Sequence, residues 1–187
     1  MSRIPAASPE QFEPLFGADA PLRQQVYAQA SHVAHDYLAW QTTLRNSSIL
    51  PARLLELVRL RVAFHNQCRS CMAIRYSTAA DDGVDEGLVC SLEKPQEADD
   101  LTEPEKAALA LADLFATDHL RVDDAMFTRL REHFDEHELM ELCFQIATFV
   151  GYGRMGAVLA MTDDLPEDYA DQNAVLAPWK QAPVSLV

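Results

Sequence analysis

Basic side chains are in short supply in this chain. Lys and Arg number 15 against 29 Asp and Glu, giving a net charge of −14 and an isoelectric point near 4.7. Phosphate backbones and anionic lipid surfaces repel such a chain, which argues against a nucleic-acid or membrane partner. Long apolar runs are missing too, and none reaches the roughly 18 residues of a spanning helix. The segment Met1–Glu10 holds one Arg, two prolines and no apolar h-region, so it does not read as a secretory signal. A soluble cytoplasmic protein is expected. Glycine is scarce, with 6 in 187 residues, and the 10 prolines gather near the ends or between periodic segments. The alternation of a half-buried strand occurs nowhere.

What remains is 49% hydrophobic, enough for one packed domain. The apolar residues recur at helical spacing, which predicts an all-α bundle. The expected layout is an N-terminal arm over 1–20, a helical core over 21–164 and a C-terminal arm over 165–187. Within the core, helices are predicted from Pro21 to about Arg45, from Pro51 to about Gln67, and from Cys68 to Gly83, with a short one in 84–92. Thr102-Glu103-Pro104-Glu105 and Asp135-Glu136-His137-Glu138 are capping boxes that start later helices. The last of these is expected to break near Gly151-Tyr152-Gly153. It is apolar on more than one stripe, as a helix buried all round would be, which predicts a homo-oligomer.

Cysteine is used four times, as Cys68, Cys71, Cys90 and Cys143, and only the first two are neighbours. Cys90 and Cys143 read as core residues. A zinc site needs two ligands beyond the pair, and no second paired knuckle exists, so neither a metal nor an organic cofactor is expected. His32 and His35 read as a surface pair. A lone Cys68-Arg69-Ser70-Cys71 in such a chain points to redox chemistry. A thioredoxin-type CxxC follows a strand in a βαβ unit, which this chain does not offer.

On a helix, Cys68 and Cys71 share a face, and at a helix N-terminus the free N–H groups favour a thiolate. Arg75, one turn on, adds a fixed positive charge. Glu56 stands in the apolar run Leu54-Leu55-Glu56-Leu57-Val58. It is either part of a polar stripe with Arg53 and Arg59 or a buried carboxylate able to take a proton. Tyr76 and Tyr152 could line a pocket or pack in the core.

The stretch from Leu54 through Ala63, followed by His65-Asn66-Gln67-Cys68-Arg69-Ser70-Cys71, resembles the signature of the carboxymuconolactone decarboxylase superfamily. Within it, the alkylhydroperoxidase D-like branch is the match, and the resemblance covers roughly residues 22–163. It implies that Cys71 attacks a hydroperoxide, that Cys68 resolves the product to a disulfide, and that Glu56 drives the proton relay. A dithiol or dihydrolipoyl-type reductant and a trimer or hexamer are implied as well. One position departs: the family's His four residues after the second Cys is Arg75 here. Arg75 can hold a thiolate or pair with Glu56, and His65 is the candidate replacement shuttle. A non-catalytic redox-sensing or small-molecule-binding oligomer and a decarboxylase-type lyase are the alternative readings.

Overall fold

The computed structural model describes residues 1–171 and 173–187. Along the chain, α1 (Pro9–Phe16) and α2 (Leu22–Tyr27) lead into α3 (Ser31–Asn46) and α4 (Ala52–Asn66). A one-turn α5 (Arg69–Met72), the two-residue β1 (Ile74–Arg75), α6 (Ser77–Asp81) and α7 (Glu86–Cys90) follow. The second half holds α8 (Glu103–Thr117), α9 (Asp124–Leu130), α10 (Glu136–Leu159), α11 (Glu167–Ala170) and β2 (Ser185–Leu186). The chain is mainly helical, as the spacing predicts; β1 and β2 pair in parallel as the one small ladder among the described residues.

Helix α4 is the centre of the molecule. Leu57, Val58, Leu60 and Val62 are fully buried against Leu109 and Leu111 of α8 and Leu142 and Ile146 of α10. Burying each such side chain is worth about 1.5–3 kcal/mol, so packing rather than intrinsic propensity fixes this helix. Both capping boxes form: Glu105 returns a bond to the Thr102 amide, and Asp135 accepts from the amides of His137 and Glu138.

Four boundaries differ from the pattern. Residues 9–16 form a helix with a Ser8 capping box, where the sequence suggested an irregular arm. The helix expected from Pro21 to Arg45 is divided by a 3-10 turn at Ala28–Ala30. The helix expected from Cys68 to Gly83 stops at Met72, because Ile74 and Arg75 extend to pair with the tail. Helix α10 runs through Gly151-Tyr152-Gly153 without a break. Gly153 serves a close approach instead: a Cβ there would stand 2.5 Å from Nδ2 of Asn66, which donates to the Phe149 carbonyl at 2.9 Å.

With 24 residues, α10 is long and apolar enough by composition to cross a membrane. Here one face packs on α4 and α8, and much of the rest, including Met140, Phe144 and Val158, is exposed.

Candidate active site

Gln67 ends α4 in the left-handed region, with φ 52° and ψ 36°. That reversal lets the Cys68 amide bond back to the Ala63 carbonyl at 3.1 Å and makes Cys68 the N-cap of α5. Cys68 and Cys71 are joined in a disulfide with Cα atoms 5.2 Å apart. Cys68 is buried at 1% exposure, while Cys71 is only half-buried. A reactant arriving from solvent therefore meets Cys71 first. Helix α5 is a single turn, so it aligns few peptide dipoles and lacks the long-helix field that the sequence suggested.

Glu56 is 2% exposed and belongs to no surface stripe. Arg59, one turn along α4, clamps it with two bonds of 2.7 Å from Nε and Nη2. The Tyr76 amide donates to the same carboxylate at 3.3 Å. Arg59 also donates to the carbonyls of Cys71 at 2.6 Å and Ile74 at 3.0 Å. Burial alone would lower the Arg59 pKa, but Glu56 outweighs it and holds the value up, so the guanidinium stays charged. The Glu56–Arg59 pair is thus a bracket beneath the CxxC turn.

Arg75 is turned elsewhere. Its guanidinium pairs with Glu86 at 2.9 and 3.0 Å and donates to the carbonyls of Met72 and Pro178. The Glu56–Arg75 pair, one of the two roles open to Arg75, does not form, since the extended backbone of β1 directs Arg75 towards α7 and the tail. His65 is also committed: its Nε2 lies 2.7 Å from Asp113 of α8, a carboxylate shared with Arg61. The left-handed turn at Gln67 takes Cys68 out of helical register with His65. The structure therefore does not bring His65 to the sulfurs as a shuttle. Burial opposes ionisation of Asp113, yet the bonds from His65 and Arg61 win and hold its carboxyl below the ordinary range.

The two cysteines face a cleft. Arg59, Ala63 and Ile74 form one wall, and Tyr27, Tyr37, Tyr76, Phe149 and Tyr152 enclose it. Tyr76 and Tyr152 thus reach the site, one of the two placements their sequence context left open. Tyr27 and Tyr37 meet edge to face at 5.3 Å, and Tyr37 lies 4.4 Å from Tyr152. Burial raises both the Tyr27 and Tyr37 phenols, so they remain neutral donors at neutral pH. Gly156 permits α10 to come against the pair: a Cβ there would sit 3.3 Å from the Cys68 sulfur.

Sequence reading passed over Arg59, Tyr27, Tyr37 and Gln41. Only Arg59 left a signal, opposite charges at i and i+3 inside an apolar run. Cys90, expected in the core, is exposed, because α7 buries Leu88 and Val89 instead. Cys143 is half-buried, and burial raises its thiol pKa, so it stays protonated. His32 and His35 are both exposed. Among the described residues, no three His, Cys, Asp or Glu side chains are grouped so as to hold a metal ion.

No protein-family model matches the chain. It is 30% identical over 105 residues to YdfG, an uncharacterized protein of Bacillus subtilis, covering 56% of this chain and 71% of that one. In three dimensions it is similar to an uncharacterized peroxidase-related protein of Ralstonia eutropha with an alkylhydroperoxidase AhpD core. That match has a TM-score of 0.63 at 19% identity and covers 81% of this chain and 80% of the other. The debrominase Bmp8, solved as a cysteine-to-alanine variant in complex with 2,3,4-tribromopyrrole, gives a TM-score of 0.71 at 17% identity, with 92% and 96% covered.

Proposed function

Since the chain belongs to the same family as YdfG and carries the AhpD-like fold, we propose that it is a thiol-dependent peroxidase working through Cys71 and Cys68. The observation that carries this is the disulfide itself on an aromatic cleft, with Cys71 the more exposed and Cys68 the more buried of the two cysteines that line it.

In the reduced protein the Cys71 thiolate attacks the terminal oxygen of an organic hydroperoxide. The O–O bond breaks, the alkoxide leaves and takes a proton from water, and Cys71 becomes a sulfenic acid. The Cys68 thiol then attacks that sulfur. The S–O bond breaks, the departing hydroxide leaves as water with the Cys68 proton, and the disulfide forms. A dithiol, such as a dihydrolipoyl group, returns two electrons by exchange and is itself oxidised. Arg59 supports the step by holding the Cys71 carbonyl. Assembly as a trimer or hexamer is part of the proposal; the exposed apolar side chains Val33 and Trp40 on α3 and Met140 and Phe144 on α10 support self-association, not its stoichiometry.

The test is a thiol titration of reduced protein before and after one equivalent of cumene hydroperoxide. Loss of two thiols per chain, restored by a dithiol, is expected. Unchanged thiols would overturn the reading, as would activity on a lactone that survives replacement of both cysteines.

The aromatic walls of the cleft favour a second reading, in which the same dithiol reduces a flat aryl bromide. A carbon–bromine bond is then exchanged for carbon–hydrogen, bromide leaves with a proton, and the same disulfide results. Bromide release measured against peroxide consumption separates the two.

A further inference from the structure

The cleft beside the disulfide does not end there. Arg23, Tyr27, Tyr37, Gln41 and Tyr76 line both it and an adjoining groove between α2 and α3 whose far wall carries Arg45. The two form one passage, with the sulfurs at its inner end and the guanidiniums of Arg23 and Arg45 along it, besides that of the Glu56-bound Arg59.

Arg23 and Arg45 belong to the arginines that pair with no carboxylate among the described residues. Arg53, Arg59, Arg61, Arg75 and Arg131 each sit on a carboxylate within 3 Å, as expected where 29 acids face 15 bases. Arg23 makes no ion pair or side-chain hydrogen bond among the described residues. Among the described residues, Arg45 is anchored only by Tyr76, 4.7 Å from the ring centroid and 3.3 Å from the hydroxyl. Among the described residues no Asp or Glu lines either part of the passage. Asp164 lines a separate hollow that Arg23 and Arg45 also border, and accepts from the Leu22 amide at 3.2 Å. The passage also holds a donor without a partner: Nε2 of Gln41 is buried and unsatisfied, a condition that ordinarily costs about 1–3 kcal/mol.

We propose that the passage recognises a small organic anion, with Arg23 and Arg45 as its anion-binding residues. The substrate class is a carboxylate-bearing hydroperoxide whose carboxylate meets the two arginines and whose flat or apolar body lies along Tyr27, Tyr37 and Tyr76. Guanidiniums suit a carboxylate because their paired N–H groups match its two oxygens. The Gln41 amide supplies a further donor on the way to Cys71. A localised positive lining inside an acidic protein selects at close range what the overall charge repels. This deepens the peroxidase reading and rests on it for the identity of the reacting group, though not for the anion site.

The experiment therefore uses a probe that involves no peroxide. Reduced protein is alkylated with iodoacetate or with its neutral counterpart iodoacetamide, and peptide mass mapping gives the rate at each cysteine. Exposed Cys90 is the reference within the same chain, and the ratio of the two reagents cancels changes in thiolate fraction. The iodoacetate-to-iodoacetamide ratio at Cys71 is expected to exceed that at Cys90 at least tenfold at low salt. It should fall towards the Cys90 value in Arg23→Gln, in Arg45→Gln, and in high salt. Equal ratios at the two cysteines, or a ratio that neither substitution moves, would overturn the anion site. A protein that keeps the ratio but consumes no hydroperoxide would overturn the peroxidase reading and leave the anion site standing.

Discussion

The guanidinium of Arg59 donates to the main-chain carbonyl of Cys71 across 2.6 Å. A buried cation thus holds the backbone of the reactive turn, and Glu56 holds the cation. Removing one partner of such a pair costs about 3–5 kcal/mol, because the other is left buried and uncompensated. Arg59→Ala and Glu56→Ala should each lose stability on that scale in urea unfolding. The double variant should lose less than the sum of the two. Arg59→Lys keeps the charge but lacks the fork, so it should fall between wild type and Arg59→Ala.

The two cysteines should behave differently. Cys71→Ser is expected to abolish peroxide reduction. Cys68→Ser should still be oxidised once, and mass spectrometry should find the sulfenic acid on Cys71. A sulfenic acid trapped on Cys68 would reverse the roles.

Arg75 gives a negative prediction. It is bound to Glu86 and to the Pro178 carbonyl, so Arg75→Ala should leave the pH profile of Cys71 alkylation unmoved while lowering stability. A shift of that profile by a full unit would place the charge of Arg75 at the thiol after all.

Gly153→Ala sets two effects against each other. Alanine gains up to about 1 kcal/mol over glycine in a helix interior, but its Cβ would stand 2.5 Å from the Asn66 amide. Overpacking costs about 1–3 kcal/mol, so the clash wins and the variant should be destabilised. In an Asn66→Ala background the same change should turn neutral or stabilising. Thermal unfolding of the four proteins checks the cycle.

Acid should weaken the α4–α8 contact through Asp113. Its carboxyl titrates lower in the folded protein than in the unfolded chain. Its contribution is therefore fully present above the unfolded value of about 3.9 and is lost as pH falls through the folded one. Asp113→Asn should lower stability at pH 6 and flatten its decline between about pH 5 and 2. Urea midpoints across that range measure it.

Much of this was legible in the residues. Pro51 and Gln67 bound α4, the capping boxes start α8 and α10, and the CxxC lies on the cleft. What escaped was direction. Glu56 and Arg59 at i and i+3 look the same on a solvated stripe and in a core, and only the packing of α8 and α10 around α4 decides which. Arg75 was misdirected because its backbone is set by pairing with Leu186 of β2, at the far end of the chain. The tyrosine walls gather from α2, α3 and α10, and no local pattern announces that meeting.

The crosslink spans just three positions in sequence. The chain entropy that a disulfide removes from an unfolded protein grows with the length of the loop it closes, and here almost no loop exists. Making or breaking this bond therefore changes the bundle's resistance to melting by only about 2 kcal/mol, less than a crosslink closing a long loop would. Under the proposed peroxidase cycle, each round of oxidation and reduction would then leave the scaffold standing, with its energy in the chemistry of the two sulfurs.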